Sequence, residues 1–350
     1  MTILLTIVIL GVLIFVHELG HFLAAKAVGV AVEVFSIGFP PRMFGKRIGE
    51  TEYRFGWIPL GGYVKMRGED PETADRNDPC SFVAKRPLEK IFIVVAGPLM
   101  NILLAVLVFW LVFFAFGENE VDYSSTVVSA VLEGSPAEKA GIVPGDRILK
   151  IEGNQLSDWN DMAVYVHKRI EENLTGVWQH GDSIITDTIR TMRRIVDTPE
   201  GRDTVGILGV SPNMKKIHFT FLGAFLESFR VTGEITVAMF GFIKNAFSGR
   251  LSLDEVGGPV MIAELTGQTR RLGIGALLFF IALISVNLGL INLFPFPPLD
   301  GAQVIFAAIE GFVHRPVSTH FRLILQQIGM MLLIALILIV TFNDIMRLGR

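Results

Sequence analysis

Val16-His17-Glu18-Leu19-Gly20-His21 lies inside the first apolar segment of the chain. On a helix, two histidines four apart share one face a turn apart, so both imidazoles can reach a single metal ion. Glu18 stands beside the first of them, placed to take a proton from a water held at that ion. From Met1 to Ala25 the only ionisable side chains are His17, Glu18 and His21, set among Leu, Ile, Val and Phe. A charged group at mid-bilayer costs at least ~2.5 kcal/mol, so three ionisable groups within five residues argue against a chance match. The stretch predicts a zinc (Zn2+) centre on a membrane-spanning helix.

Composition agrees. The 350 residues are 51% hydrophobic and 19% charged, with a mean hydropathy of +0.52. That is too apolar for an ordinary soluble protein and implies several membrane spans. A net charge of −3 gives no sign of a nucleic-acid partner, and one cysteine, Cys80, excludes an intrachain disulfide framework or a cysteine-ligated zinc. The N-terminal apolar run lacks the basic start of a signal peptide, and cleavage near Ala24–Ala27 would discard both histidines, so it reads as a retained first span.

The first span covers residues 1–25, with His17 about 20 Å along a ~30 Å hydrocarbon layer. Residues 26–90 carry eleven Lys and Arg against nine Asp and Glu, which places this loop in the cytoplasm by the positive-inside rule. Within it, Tyr53-Arg54-Phe55-Gly56-Trp57-Ile58-Pro59-Leu60-Gly61-Gly62-Tyr63-Val64-Lys65-Met66 reads as strands around a glycine turn, a membrane-associated β-hairpin whose edge could pair with an unwound substrate. The second span is 91–116, interrupted by Gly97-Pro98, with Asn101 read as a packing residue.

Residues 117–215 have the composition of a soluble domain. Their run from Gly134-Ser135-Pro136-Ala137-Glu138-Lys139-Ala140-Gly141-Ile142 to Gly145-Asp146-Arg147-Ile148 resembles a PDZ domain of the bacterial protease type, an α/β fold able to take an extended peptide as an added strand; residues 169–200 match that pattern poorly. Residues 216–273 read as amphipathic helices on the membrane surface, with Glu227, Arg230 and Glu234 near one face and a turn at Val256-Gly257-Gly258-Pro259.

The third span, 274–301, ends in Asn292-Leu293-Phe294-Pro295-Phe296-Pro297-Pro298-Leu299-Asp300-Gly301. Three prolines in four residues break the helix, and Asp300 follows as the natural third metal ligand. His-His-Asp leaves the fourth tetrahedral position open for water, as a catalytic zinc requires. Residues 302–350 contain a loop and a fourth span, with His314 and His320 read as surface residues. Parity supports four spans: Asp300 meets the histidines only if the first and third spans cross in the same direction, which one intervening span achieves. The fold class is thus a polytopic α-helical membrane protein with four transmembrane helices, a membrane-associated β-hairpin and one inserted PDZ-like domain. The N-terminus and that domain are expected outside, and residues 26–90 and Asp300 inside.

This ordered set of motifs, Gly97-Pro98-Leu99-Met100-Asn101 included, resembles the bacterial site-2 proteases over nearly the whole chain. The resemblance implies an intramembrane zinc metalloprotease of the bacterial cytoplasmic membrane. It would cut a single-span substrate already shortened by another protease, often an anti-sigma factor. It implies His17, His21 and Asp300 as zinc ligands, Glu18 as general base, Asn287 and Asn292 as substrate holders, and the Tyr63–Gly68 segment, with Tyr63, Val64, Lys65 and Met66, as the loop that pairs with the substrate strand. One PDZ-like domain rather than a tandem pair is a departure from the enterobacterial members. Two other readings stand beside it. A different membrane zincin would take its third ligand from a Glu soon after the first motif, where Glu33 is the candidate. The other is a non-proteolytic zinc transporter or PDZ-bearing scaffold; a transporter should carry ionisable groups along several spans, whereas here they converge on one point.

Overall fold

The computed structural model describes residues 1–69, 75–198, 201–248, 257–315 and 317–348. They form two compact units, Met1–Phe116 with Phe219–Arg350, and Gly117–His218.

In the first unit, α1 (Thr2–Ala27) buries Thr6, Ile9, Leu13, His17, Gly20, His21 and Ala24. That three-and-four spacing defines a single inward stripe, while Leu4, Val8, Val12 and Leu23 remain exposed. β1 (Val32–Ile48) and β2 (Thr51–Met66) follow, then α2 (Pro87–Phe116). The turn of this hairpin falls at Gly49-Glu50, before the 53–66 stretch in which a glycine turn was expected. Gly62 lies within β2 because the backbone passes close to its neighbours there: a β-carbon on it would stand 2.9 Å from the Ser36 carbonyl oxygen and 3.1 Å from Cγ of Glu18. The hairpin also doubles over. Val34 to Ile37 lie between Gly62–Lys65 on one side and Glu52–Phe55 on the other, and Phe44 to Ile48 continue beyond Thr51–Phe55. Residues 62–66 thereby form an outer edge.

The inserted unit is closed at its neck by β3 (Glu118–Val121), which pairs with the last strand, β12 (Met214–Ile217). Between them run β4 (Val128–Val131), α3 (Pro136–Lys139), β5 (Arg147–Ile151), β6 (Asn154–Gln155), α4 (Trp159–His167), β7 (Asn173–His180), β8 (Ser183–Arg190), β9 (Met192–Thr198), β10 (Gly201–Ile207) and β11 (Val210–Pro212). The sheet order is β6-β5-β7-β8, with β11 on β4 and β10 on β9 as separate pairs. The sequence cues at its start are realised: Ser135 caps α3 by accepting from the Glu138 N–H, with Pro136 at the first turn, and Gly141 and Gly145 take positive φ. The unit reaches three residues beyond the expected boundary because β12 closes the neck.

Back in the first unit, α5 (Phe221–Phe247) is one helix of 27 residues. The expected charged face is present, with Arg230 paired to both Glu227 and Glu234. The neighbouring face is not left to lipid alone: Ala224 and Val231 pack with Phe109, Phe113, Ala282 and Val286. α6 (Pro259–Leu272) precedes α7 (Ile274–Asn292), α8 (Asp300–Val313) and α9 (Thr319–Leu348). The expected turn at Val256–Pro259 lies in part outside the described residues. α8 was not expected; Ala302, Phe306 and Ala307 give it a buried stripe. Among the described residues, four helices are long and apolar enough to cross a membrane: α1, α2, α7 and the 320–347 stretch of α9.

Candidate metal centre and its surroundings

Helix periodicity aims His17 and His21 at α2, and small residues let the two backbones meet. A β-carbon on Gly20 would stand 2.8 Å from the Ala96 carbonyl carbon, and one on Gly97 would collide with the His21 ring. Close approach through glycines is how helices pack without a hydrophobic drive between them. α7 meets α2 at the same level, where Ser285 Oγ donates to the Asn101 carbonyl oxygen at 2.8 Å. The chain then leaves α7, and Gly301 lets the Pro-rich loop fold back, since a β-carbon there would collide with the Leu293 and Phe294 carbonyls. Asp300, in the first turn of α8, is thereby brought to α1. A helix N-terminus also favours a carboxylate.

The result is a cluster of three donor atoms. His17 Nε2 and His21 Nε2 are 3.1 Å apart, and Asp300 Oδ2 lies 3.0 Å from the first and 3.4 Å from the second. Among the described residues this is the one group of His, Cys, Asp and Glu arranged to hold a metal ion. His21 Nδ1 is 2.9 Å from the Ile93 carbonyl oxygen. A carbonyl only accepts, so Nδ1 carries the hydrogen and the Nε2 lone pair faces the other two donors. A hydrogen on His17 Nε2 could satisfy only one of the contacts among these three atoms at a time. A cation at their centre resolves the conflict, and two nitrogens with one carboxylate suit zinc with one position left open.

Asn101 supports the other histidine. Its side chain is fully buried, its Nδ2 lies 3.4 Å from His17 Nδ1, and its Oδ1 has no hydrogen-bond partner. A half-turn of the amide exchanges its oxygen and nitrogen. With the oxygen towards the ring it accepts from His17 Nδ1–H, which satisfies the buried oxygen and leaves His17 Nε2 free to ligate. The sequence reading took Asn101 for packing; Pro98 and the asparagine three residues on, in an apolar span, were the available signal.

Glu18 is half-buried beside this cluster, close to the backbone of Gly62 and Val64: a β-carbon on Gly62 would stand 3.1 Å from its Cγ. The outer edge of the hairpin thus lies against the Glu18 side chain. Of the four hairpin residues singled out, Val64 and Met66 are buried beneath the strand, while Tyr63 reaches towards Arg54 at 3.5 Å and Lys65 pairs with Glu33 at 3.6 Å. The alternation leaves the backbone edge, rather than these side chains, facing the cluster. That ion pair also occupies Glu33, which is no part of the metal group. Asn287 and Asn292 are half-buried on α7, and neither amide has a hydrogen-bond partner among the described residues. Glu69, next to the hairpin's end, accepts from the Met66 N–H at 3.2 Å; burial pushes its carboxyl up from the usual range, and Glu18 and Asp300 reinforce the rise.

The family model for Peptidase family M50 matches residues 5–336. A relative from Agrobacterium fabrum, named "Putative zinc metalloprotease Atu1380", is 35% identical across 97% of this chain and 94% of its own. One from Clostridium perfringens, named "Putative zinc metalloprotease CPE1693", is 33% identical across 99% and 98%. Among solved structures, the PDZ domain of an SdrC-like protein from Listeria monocytogenes aligns at 21% identity and a TM-score of 0.22, covering 27% of this chain and 92% of that domain. With a family match over almost its whole length and a donor set suited to zinc, the chain belongs to peptidase family M50, and is a metallopeptidase.

Proposed function

We propose that this chain is an intramembrane zinc endopeptidase that cuts the transmembrane segment of a single-span protein already shortened by an earlier cleavage. The observation that carries the proposal is the convergence of His17 Nε2, His21 Nε2 and Asp300 Oδ2 within one site, with Glu18 beside it and a strand edge against Glu18. His17, His21 and Asp300 would hold the ion. Zinc, when bound, supplies Lewis acidity to water and to the scissile carbonyl.

The remaining steps fall to the chain's own groups. A peptide bond inside a stable helix is sheathed by side chains, so the substrate unwinds locally and lies as an added strand along residues 62–66. The amides of Asn287 and Asn292 take up hydrogen bonds of the bared substrate backbone, which lipid cannot satisfy. Glu18 accepts a proton from the attacking water and delivers it to the leaving nitrogen. Substrates with Gly, Pro, Ser or Asn near the cut, which unwind at lower cost, are preferred.

The reading places the protein in the bacterial cytoplasmic membrane, with the N-terminus and the PDZ-like unit outside. That unit has a groove of about 200 Å³ between α4 and β11, lined by Trp159, Val166, Leu208 and Val210 with His167 and Arg194. It would take a peptide or protein ligand as an added strand.

Cleavage of a model transmembrane substrate by purified protein in detergent, with and without a chelator, tests the proposal. Cleavage that stops with the chelator, returns with zinc and is absent in Asp300→Ala together with its zinc is expected. Zinc-loaded wild type that cleaves no such substrate would leave the scaffold or transporter reading.

A further inference from the structure

A cavity of about 540 Å³ lies between α1 and the hairpin, within the ~300–1,000 Å³ range of small-molecule sites. One wall is Phe15, Leu19 and Phe22 of α1. Across from it stand Ile37 and the rings of Phe44 and Phe55, stacked 4.7 Å apart. Lys46 and Arg54 also line it. On α1, Phe15 and Leu19 lie two residues either side of His17, about half a turn round the helix from it, and Phe22 lies one turn beyond Glu18.

The setting identifies another occupant. α1 is one of the helices able to cross a membrane. Phe39, Met43, Phe44, Ile48 and Trp57 of the hairpin are all exposed, an apolar surface of a kind that water does not favour. Around it sit Lys26, Arg42, Lys46, Arg47 and Arg54 against the carboxylates Glu50 and Glu52. Glu50 is taken by Lys26, and Glu52 by Arg42 and Arg54. Lys46 has no carboxylate partner among the described residues. Arg54 Nε–H is shut from solvent without an acceptor. An apolar cleft opening where a membrane helix meets an uncompensated basic rim matches one chemistry, an acyl chain carrying a negatively charged headgroup.

We propose that this cavity is a binding site for an anionic phospholipid, one acyl chain lying against Phe15, Leu19 and Phe22 with its phosphate at Lys46 and Arg54. A bound chain fills the space between α1 and the hairpin whose far edge touches Glu18, and so sets the hairpin's position. The proposal rests on the membrane setting of α1 and not on what the metal centre cleaves.

Native mass spectrometry of the zinc-loaded protein in detergent, titrated with dioleoyl phosphatidylglycerol or dioleoyl phosphatidylcholine, tests it. Wild type should retain one phosphatidylglycerol per chain and prefer it to phosphatidylcholine. Lys46→Gln should cut that preference by about fivefold, the equivalent of the ~1 kcal/mol that one basic residue contributes at an anionic surface. Ile37→Trp, which fills the cavity, should abolish the retained adduct of either lipid, with one zinc per chain reporting an intact fold. Should Ile37→Trp lose its zinc, the Lys46→Gln result decides, since that side chain is exposed and supports no packing. Equal lipid retention by wild type and zinc-bearing Ile37→Trp overturns the site, as does a wild type that retains no lipid; an unchanged preference in Lys46→Gln overturns the headgroup assignment.

Discussion

Gly97 of α2 receives the imidazole of His21 against its bare α-carbon: a β-carbon built there would stand within 2.8 Å of Nε2, Cε1 and Cδ2 of that ring. The ring is also held on its far side by the Ile93 carbonyl, four residues earlier on the same helix, so it has little freedom to yield. Gly97→Ala should therefore turn His21 away from His17 and Asp300. Zinc affinity, measured by competition with a chelator, is expected to fall roughly 10- to 100-fold, the range seen when the supports of a metal ligand are removed. Helix content by circular dichroism should stay at the wild-type value, because alanine favours a helix more than glycine does. Wild-type affinity would show that the ring can move without consequence.

Asn101 makes the second case. If its amide oxygen accepts from His17 Nδ1–H, Asn101→Leu leaves that hydrogen buried and unpaired, at about 1–3 kcal/mol. Zinc binding should weaken by about tenfold or more. Asn101→Asp keeps an acceptor at the same place and should lose less, reversing the order that loss of packing alone would give. Equal affinities for the two variants would assign Asn101 to helix packing only.

Glu18 touches the donor cluster's surroundings but is not one of the three donors. Glu18→Gln should lower cleavage of a transmembrane substrate by about 10²–10⁴-fold, the usual contribution of a positioned general base, with zinc still bound at one per chain. Cleavage near the wild-type rate would remove Glu18 from the proton-transfer step.

What the sequence disclosed follows from the range over which each cue acts. His17 and His21 were legible because helical periodicity fixes a face from four residues, and because ionisable groups stand out in an apolar run. Asp300 was legible through the broken helix before it. In the inserted unit, the start was readable from the Gly134–Ile142 and Gly145–Ile148 runs, because a short helix ended by Gly141 and a turn at Gly145 are local demands. The proximity of Asn101 to His17 carried no local cue, because the two are 84 residues apart in the chain. The glycines of the 53–66 stretch imitated a turn: glycine serves close approach as well as reversal, and at Gly62 only its packing on Ser36 and Glu18 separates the two. The doubled pairing of Val34–Ile37 carries no sequence mark, since one alternating strand can serve either neighbour. α8 was hidden by the proline run, which announces where a helix stops but not that another begins at Asp300.

The division into two units yields a last prediction. Trp178 is fully buried in the core of the inserted unit, beside Ile148, Ile151 and Leu174, and none of that cluster belongs to the helices that carry the donor atoms. Trp178→Ala should destabilise this unit by about 3–5 kcal/mol, which a limited-proteolysis series would record as earlier cutting within residues 117–218. Zinc stoichiometry should remain at one per chain, because His17, His21 and Asp300 are positioned by α1, α2 and α8 through contacts of their own. If zinc is lost in step with the proteolytic opening, the two cores are coupled, and the inserted unit takes part in building the metal centre rather than only in receiving a partner.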